Sequence, residues 1–565
     1  MKHLGLISLL AILLVSCNAQ NTSKNQNVNK PSEQPNIVWI VTEDISPTLS
    51  FYGDYTAKTP NLDALAKESM IYDNAFAVVG VCAPTRSSII TGMYPTSIGT
   101  MHMRTGNDVM SWGKREYQSK EETGRLDLNN EPIPQYSAVI PPHVKCYTEY
   151  LRAAGYYCTN NQKTDYQFAA PITAWDENNP KAHWRNTPKG KPFFSVFNIN
   201  TTHESQLWKN SDLPLTVNPE DVTVPPYLPD NLETRKTIAR HYSNVELMDA
   251  EVGEFITQLK ADGLYENTII FFYSDHGGPL PRQKREIYDS GLKVPFMVKH
   301  PNGNKGRTDE LISFVDLAPT MLSLAGIKAP KHLEGQAFLG IYKHNKQRDY
   351  VFASSDRFDE FTDRIRAIRT KDFLYLKNDY PEKPKYKDVG YRKNISMMPK
   401  FLELKTEGEL NKTQEIWFNT KTVEELYDVS KDPHNLNNLA KKSEYTAVLK
   451  EMRLQLKDQQ EVSPDLGKMF EAEVVETMWP KNEQPITSPV KLSQRNQLIH
   501  LTNQTDGSSI AYLFSDNPDI KFDYDLNWQL YTSPISNTAT HKYLYVVAER
   551  IGFKTSDMLK INLKN

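Results

Sequence analysis

The sequence contains few cysteines, carries little net charge and has no long hydrophobic run after its first residues. Four cysteines among 565 residues are too few for a disulfide framework. A formal net charge of -3, without a basic run, gives no electrostatic basis for binding nucleic acid. Cys146 and Cys158 flank a predicted helix that ends near Ala154, where we expect two buried thiols, with a disulfide as the alternative. The length favours more than one domain.

The first seventeen residues are typical of a bacterial export signal. An apolar run at residues 4–15 is too short to be a permanent membrane-spanning helix. It ends in "LLVSC", residues 13–17, which resembles the lipobox of lipoproteins, and cleavage near Ala19 is the alternative. Residues 18–35 are polar and are expected to form a flexible tether. We therefore predict an exported protein that a lipid on Cys17 anchors to the outer membrane, on its periplasmic or cell-surface side.

Apolar runs alternate with helical periodicity over residues 36–345. The runs "IVWIV" at 37–41, "FFSVF" at 193–197 and "TIIFFY" at 268–273 are typical of buried strands. Between the last two, apolar residues keep helical spacing through residues 245–259. Strands alternating with helices predict an α/β layered domain over 36–345.

The sequence changes character twice after this domain. In residues 346–480, "RAIRTKDFLYLKN" predicts paired strands, and a helix is expected from about residue 442 to 460. These elements indicate a smaller α+β subdomain. In residues 481–565, "NQLIHLTNQTDGSSIAYLF" and "HKYLYVVAERIGF" alternate polar and apolar residues. That pattern predicts an appended β-sandwich-like module.

Polar side chains follow the predicted strands of the first domain. In open α/β sheets, ligands bind beyond the carboxyl ends of the strands. The residues there are Glu43, Asp44, Lys163, Asp165, His203, Asp275 and His276. The three carboxylates suggest one hard divalent cation, whereas His276 alone would favour zinc or manganese. Taken singly, Glu43 and Asp44 also fit a helix-capping turn and His203 a loop histidine; together the residues indicate a site.

The stretch "VCAPTRSSIITG", residues 81–92, places Cys82 at the start of a predicted helix. Pro84 is tolerated in a first helical turn, and Gly92 fits the helix end. Free backbone N–H groups and Arg86 favour a thiolate there. On these residues alone, a buried structural cysteine is the alternative.

The segment "CAPTR" resembles the Cys-x-Pro-Thr-Arg signature of type I sulfatases, the formylglycine-dependent enzymes of the alkaline phosphatase superfamily. "NIVWIVTEDIS" and "IFFYSDHGG" are similar to the family's two metal segments, and "KREIYDSGLKVPF" to its lysine-bearing stretch. The resemblance extends from residue 36 to about 460 and is closest to sulfamidase-like and polysaccharide-degrading bacterial sulfatases. It implies a sulfuric ester hydrolase and an α/β fold, with a large mixed sheet sandwiched by helices.

The resemblance also implies a role for each candidate residue. Cys82 would be converted to formylglycine (3-oxoalanine) by a formylglycine-generating or sulfatase-maturating enzyme. One hydroxyl of the hydrated aldehyde would attack sulfur, and deprotonation of the other would expel sulfate. The family implies one divalent cation, calcium, and its implied ligands are Glu43, Asp44, Asp275 and His276. By the same resemblance, Arg86 would orient the hydrate, and Lys163 and Lys284 would bind the sulfate group. His203 would protonate the leaving oxygen, and His102 and Arg285 would contact the substrate.

Two positions depart from the family pattern. Glu43 stands where an aspartate is usual, and its longer arm could shift the ion. The usual Lys-x-His is Lys163-Thr164-Asp165 here, so the histidine that assists sulfate elimination is missing. We expect Asp165 to replace it, with His102 as the alternative.

Export and the appended module favour a sulfated polysaccharide or its oligosaccharides as substrate. We expect an algal polymer such as ulvan as the substrate, and a glycosaminoglycan is the alternative. Two other functions are considered. One is a phosphonate or phosphate ester hydrolase of the same superfamily, and the other is a non-catalytic lipoprotein that binds sulfated glycans with Cys82 unconverted.

Overall fold

The computed structural model describes residues 34–103, 105, 122–536 and 540–563. The predicted signal peptide, Cys17 and most of the predicted tether lie outside these residues. From Pro35 onward the chain forms one compact unit. Within the described part of the chain, no helix is both long enough and apolar enough to cross a membrane.

A mixed β-sheet forms the centre of the first domain. The strands up to residue 313 are β1 (Asn36–Thr42), β2 (Met70–Phe76), β3 (Glu122–Leu126), β4 (Pro132–Pro134), β5 (Tyr157–Asn161), β6 (Glu177–Asn178), β7 (Phe193–Ile199), β8 (Thr268–Ser274), β9 (Lys293–Val294), β10 (Phe296–Lys299) and β11 (Gly306–Ser313). The sheet order is β11-β2-β10-β8-β1-β7-β5-β6, and β9 pairs with β2. β9 and β10 pair antiparallel with their neighbours, while the β8-β1-β7-β5-β6 portion is parallel. The predicted mixed sheet is confirmed.

Helices cover both faces of this sheet. They are α1 (Pro60–Ala66), α2 (Cys82–Thr91), α3 (Pro95–Ile98), α4 (Tyr147–Ala153), α5 (Gln206–Lys209), α6 (Leu232–Ala261), α7 (Asp289–Leu292) and α8 (Leu317–Leu324). Side chains alternate along β1, so Trp39 lies in the core with α2, α4 and α8. Ile40 lies in the opposite core with α1 and α6. A strand buried on both faces explains the uninterrupted apolar run in its sequence.

A second, antiparallel sheet follows. Its strands are β12 (Val351–Ser355), β13 (Ile365–Arg369), β14 (Phe373–Asn378) and β15 (Glu424–Asp428), paired in that order. The helices of this region are α9 (Met397–Glu407), α10 (Lys412–Glu415), α11 (Thr446–Val462) and α12 (Glu471–Met478). The β13–β14 pair is confirmed, and α11 begins about four residues later than predicted because a 3₁₀ turn precedes it. β15 was not predicted, since only its pairing with β14 makes this turn-rich segment extended.

The last segment contains two small sheets that share a core. Its strands are β16 (Lys491–Arg495), β17 (Leu498–Thr502), β18 (Ser509–Ser515), β19 (Gln529–Leu530), β20 (Ile535–Ser536), β21 (Tyr543–Glu549) and β22 (Leu559–Asn562). The sheets are β16-β17-β20 and β19-β18-β21-β22. Ile499 of one sheet and Val546 of the other belong to one buried cluster, as in a β-sandwich. Trp528 and Tyr545 pack on Ile172 of the first domain. The predicted boundaries at residues 345 and 480 remain predictions.

The two internal cysteines outside the helix α2 are free thiols. Cys146 and Cys158 are both buried and unpaired with each other, which excludes the disulfide alternative. Burial raises the pKa of each thiol well above its usual value, so both are expected to be inert.

Candidate active site

Helix α2 places Cys82 at its first position, as predicted. Val81 before it is extended, and Gly92 after it adopts a left-handed φ of 68° and donates its N–H to Ser88 O. All ten helical residues are buried. Arg86, one turn after Cys82, therefore lies on the same face of the helix as Cys82. The helix start thus directs a sulfur and a guanidinium into the same interior region.

The carboxyl ends of β1 and β8 bring the predicted metal ligands together beside Cys82. The Sγ atom of Cys82 is 3.4 Å from His276 Nε2. His276 Nε2 is in turn 3.1 Å from Asp44 Oδ1 and 3.8 Å from Asp275 Oδ1. Arg86 connects the two strand ends, because Nε donates to Asp275 Oδ2 at 3.1 Å and Nη2 donates to Glu43 Oε1. Side chains from two neighbouring strands and one helix therefore form a single cluster.

Two lysines complete this cluster. Lys163 Nζ lies 2.5 Å from Glu43 Oε2, and Lys284 Nζ lies 2.8 and 2.6 Å from the two carboxylate oxygens of Asp44. Both lysines are buried. Although burial lowers the pKa of each, the neighbouring carboxylates raise it by more, so both pKa values lie above normal. The lysines are therefore charged, and they are the predicted sulfate-binding cations.

The three carboxylates differ in how well their charge is compensated. Burial raises the pKa of Glu43, and Arg86 and Lys163 oppose this without reversing it. Burial also raises the pKa of Asp44, but Lys284, His203 and His276 together lower it by more, so the pKa lies well below its usual range. The pKa of Asp275 is likewise lowered, because His276 and Arg86 outweigh burial. Glu43 is thus the one of the three carboxylates whose pKa its cationic neighbours do not bring below the usual value.

The arrangement fits a divalent cation. Ligand atoms of Glu43, Asp44, Cys82 and His203 all lie within 4.8 Å of one another, and so do those of Cys82, Asp275 and His276. The four predicted ligands among these residues, three carboxylates and the imidazole of His276, make a donor set rich in oxygen, which hard divalent ions prefer.

His203 lies at the half-buried side of the cluster. Its Nδ1 is within 2.9 Å of Ser205 Oγ, and the backbone N–H of the next residue, Glu204, donates to Asp44 Oδ2 at 2.6 Å. The cluster's carboxylates are fully buried, whereas His203 is partly exposed. The predicted proton donor is therefore more accessible to solvent than the carboxylates of the cluster.

Asp165 stands where the family histidine is missing. It is fully buried, and its Oδ2 is 3.8 Å from Lys163 Nζ. Its backbone has a left-handed φ of 48°, a conformation that costs energy for a non-glycine residue and is frequent at functional sites. The charge of Asp165 also contributes to raising the pKa of Arg86 and of Lys163. The structure thus brings Asp165 into the predicted cluster.

His102 belongs to a different set of contacts. Its Nδ1 is 3.4 Å from the backbone N–H of Arg357 and 3.5 Å from Glu471 Oε2. Burial lowers the pKa of His102 to about 4, so its imidazole is neutral at neutral pH. Arg357 and Glu471 hold the ring, and the contacts found among the described residues do not join His102 directly to Cys82.

Arg285 is held between two carboxylates. Its Nη1 donates to both oxygens of Glu204 at 2.9 and 3.0 Å, and its Nε donates to Asp359 Oδ2 at 2.9 Å. Arg285 and Asp359 both adopt left-handed φ values, 70° and 51°. The predicted substrate contact is therefore fixed next to Lys284 and is linked to the loop that follows β12.

Sequence reasoning missed several residues that support the cluster. Asn198 accepts a hydrogen bond from Arg86 Nη1 at 2.8 Å, and a polar residue near the end of the apolar strand β7 was the available signal. Glu204, Asp359 and Glu471 had no comparable signal. The role of each of these residues depends on a contact with a partner. That partner is far away in the chain, or it can be recognised only once the fold is known.

The comparisons with known proteins identify the family of this chain. The family model described as Sulfatase matches residues 35–327, and one described as N-sulphoglucosamine sulphohydrolase, C-terminal, matches residues 282–387. A protein of Formosa agariphila named ulvan-active sulfatase is 41% identical, over 98% of this chain and 96% of its own length. The human N-sulphoglucosamine sulphohydrolase is 24% identical, over 74% of this chain and 91% of its own.

A solved structure has the same fold. It is described as a 2-O GAG sulfatase and superposes with a TM-score of 0.54 at 19% identity, covering 77% of this chain and 93% of that chain. The chain therefore belongs to the sulfatase family. It is a sulfuric ester hydrolase, of a family whose members carry formylglycine and typically bind a divalent metal.

Proposed function

We propose that this enzyme removes sulfate ester groups from ulvan or its oligosaccharides. The observation that carries the proposal is the 41% identity to a protein named ulvan-active sulfatase, because the match extends over 98% of this chain. It therefore includes the C-terminal β-module as well as the catalytic cluster. The three buried cations around Cys82, which are Arg86, Lys163 and Lys284, suit a sulfate group.

The nucleophile in this proposal is formylglycine made from Cys82 by a maturating enzyme. When hydrated, it supplies a hydroxyl that attacks sulfur. Arg86, one helical turn away, orients this residue, and Lys163 and Lys284 hold the sulfate oxygens. The buried cluster keeps these cations charged, so they are available to compensate the charge that develops on the sulfate.

Glu43, Asp44, Asp275 and His276 would hold the cation, which we propose is calcium. Oxygen donors outnumber nitrogen donors in this set, and calcium prefers oxygen. When bound, the ion would supply positive charge, which favours the deprotonated form of a hydroxyl group nearby.

Two groups handle protons in the proposed reaction. His203 protonates the leaving oxygen, because it is the partly exposed member of the cluster. Asp165 accepts the proton whose loss releases sulfate, because it is buried beside Lys163 at the position that the family histidine usually holds.

We further propose that the protein is exported and anchored to the outer membrane through a lipid on Cys17. The support is the "LLVSC" sequence and the polar segment that follows it. A tethered enzyme outside the cytoplasm would meet a polymer that cannot enter the cell.

The test is sulfate release by the chain co-expressed with a sulfatase-maturating enzyme. Ion chromatography should detect sulfate from ulvan oligosaccharides and much less from heparan or chondroitin sulfate oligosaccharides. Aryl phosphate and phosphonate esters measured in parallel should react far more slowly than the matching aryl sulfate. Release from a glycosaminoglycan but not from ulvan would contradict the proposed substrate, and preferred phosphate hydrolysis would contradict the reaction.

A further inference from the structure

A groove lies where the β-module meets the first domain. It has a volume of about 870 Å³. Residues 176–181, which include β6 and the turn after it, form one wall, and residues 524–527 of the module form the other. Gln162 also lines the groove and directly precedes the catalytic Lys163. The groove therefore runs along β6, the last strand of the sheet, and reaches the residue that precedes Lys163 in sequence.

The groove is lined by side chains suited to sugar hydroxyls. Its amides are Gln162, Asn178, Asn179, Asn186 and Asn527. An amide both donates and accepts hydrogen bonds, as a hydroxyl group requires. Tyr524 contributes an exposed aromatic ring, on which the C–H face of a sugar can pack. A concave site that combines apolar surface with a few polar groups is typical of small-ligand binding.

The charge of the groove distinguishes it from the catalytic cluster. Its charged lining residues are Asp176, Glu177, Asp525 and Lys181. Three carboxylates and one lysine therefore line the groove, and Asp176 is paired with Arg152 at 2.9 Å. A sulfate group in the groove would meet like charge. The groove thus suits sugar residues that carry little charge.

A chain of three asparagines connects the catalytic arginine to this groove. Arg86 Nη1 donates to Asn198 Oδ1 at 2.8 Å, Asn198 Nδ2 donates to Asn160 Oδ1 at 3.0 Å, and Asn160 Nδ2 donates to Asn178 Oδ1 at 2.7 Å. These residues lie on the adjacent strands β7, β5 and β6. Because a guanidinium can only donate, it fixes the orientation of every amide after it. Asn178, the last one, lines the groove.

We propose that this groove binds weakly charged sugar residues of the glycan whose sulfated residue occupies the catalytic cluster. Tyr524 packs against a sugar ring, and Asn178 donates a hydrogen bond to it. The inference rests on the proposed action on a polysaccharide and adds a second binding region to it. The module thereby contributes to substrate recognition and does not act only as an appendage.

The test compares long and short substrates. Tyr524→Ala should lower kcat/KM about tenfold on ulvan hexasaccharides, the size of effect expected when one aromatic contact is lost. It should leave turnover of p-nitrophenyl sulfate unchanged, because that substrate does not reach the groove. Tyr55→Ala removes a tyrosine that is 79% exposed and lies outside the groove, so it serves as the matched control. Equal kcat/KM of Tyr524→Ala and wild type on the hexasaccharide would overturn the proposal.

A binding measurement separates this inference from the proposed function. Chemically desulfated ulvan hexasaccharide is titrated by calorimetry into Cys82→Ala, which needs no turnover. Asn178→Asp keeps the acceptor for Asn160 but loses the donor, so in this background it should weaken binding several-fold. If Cys82→Ala does not bind the desulfated sugar, the groove proposal is wrong even if ulvan is hydrolysed. If the sugar binds but no sulfate is released from ulvan by wild type, the proposed function is wrong and the groove proposal stands.

Discussion

Cys82 Sγ and His276 Nε2 lie 3.4 Å apart although 194 positions separate these residues in the chain. One begins the helix α2, and the other follows the strand β8. The contact places the predicted nucleophile directly against a predicted metal ligand. It arises because the helix start and the strand end meet at the same edge of the sheet.

Replacement of Cys82 by alanine should abolish sulfate release while the protein stays folded. Alanine cannot be converted to formylglycine, so the attacking hydroxyl is lost. A small residue is tolerated at this helix start, and we expect a stability loss of about 1 kcal/mol. Sulfate release and thermal unfolding by circular dichroism measure the two effects.

The matched control for this replacement is Cys146→Ala. That residue is an equally buried free thiol, and it should keep wild-type activity. Undiminished sulfate release by Cys82→Ala would contradict the assigned nucleophile.

Removal of divalent ions by chelation should eliminate activity, and calcium should restore it. Asp275→Asn should reduce calcium affinity at least tenfold by calorimetry, because it removes one of the buried negative charges. Asp249→Asn is the control, since Asp249 is buried but accepts hydrogen bonds from the start of α1. It should lower stability without changing calcium affinity. Stoichiometric zinc in elemental analysis, or full activity after exhaustive chelation, would argue against the calcium site.

Much of the catalytic cluster could be predicted because it follows local patterns. The strands β1 and β8, which contain the apolar runs, end directly before Glu43 and Asp275, so the position of these residues at one sheet edge follows from the parallel fold. Asn198 was missed because its role requires β7 to lie beside β1, and the order of strands in a sheet cannot be predicted from the local sequence. Glu471 was missed because its contact with His102 depends on packing between segments that are far apart in the chain.

A further prediction concerns the contact between the β-module and the first domain. Glu549 accepts hydrogen bonds from Ile172 N at 2.6 Å and from Thr555 Oγ1 at 2.7 Å. Burial raises the pKa of Glu549 from 4.5 to about 7. The folded state therefore favours the protonated carboxyl group. Its stabilising contribution is fully present below pH 4.5 and is lost as the pH rises to 7.

Glu549→Gln should remove this pH dependence, because glutamine keeps the shape but cannot ionise. The free energy of unfolding of the variant, relative to that of wild type, should increase by up to about 3 kcal/mol between pH 4.5 and 7. Above pH 7 this difference should stay constant. Urea unfolding of both proteins across this range measures it. A difference that is the same at pH 5 and pH 8 would contradict the raised pKa.

The last prediction concerns the missing histidine. A carboxylate beside Lys163 is a weaker base than imidazole, so Asp165 must rely on its fixed position, which its burial and backbone conformation provide. Asp165→Asn keeps the shape and removes the basicity, and it should lower kcat by about 10²–10⁴-fold. Because sulfate release would be the slowed step, mass spectrometry of the peptide containing residue 82 should show retained sulfate. His102→Ala should mainly raise KM, since a ring whose pKa is about 4 accepts protons poorly. Retained sulfate in His102→Ala but not in Asp165→Asn would make His102 the base, and its absence in both would mean that another group performs the elimination.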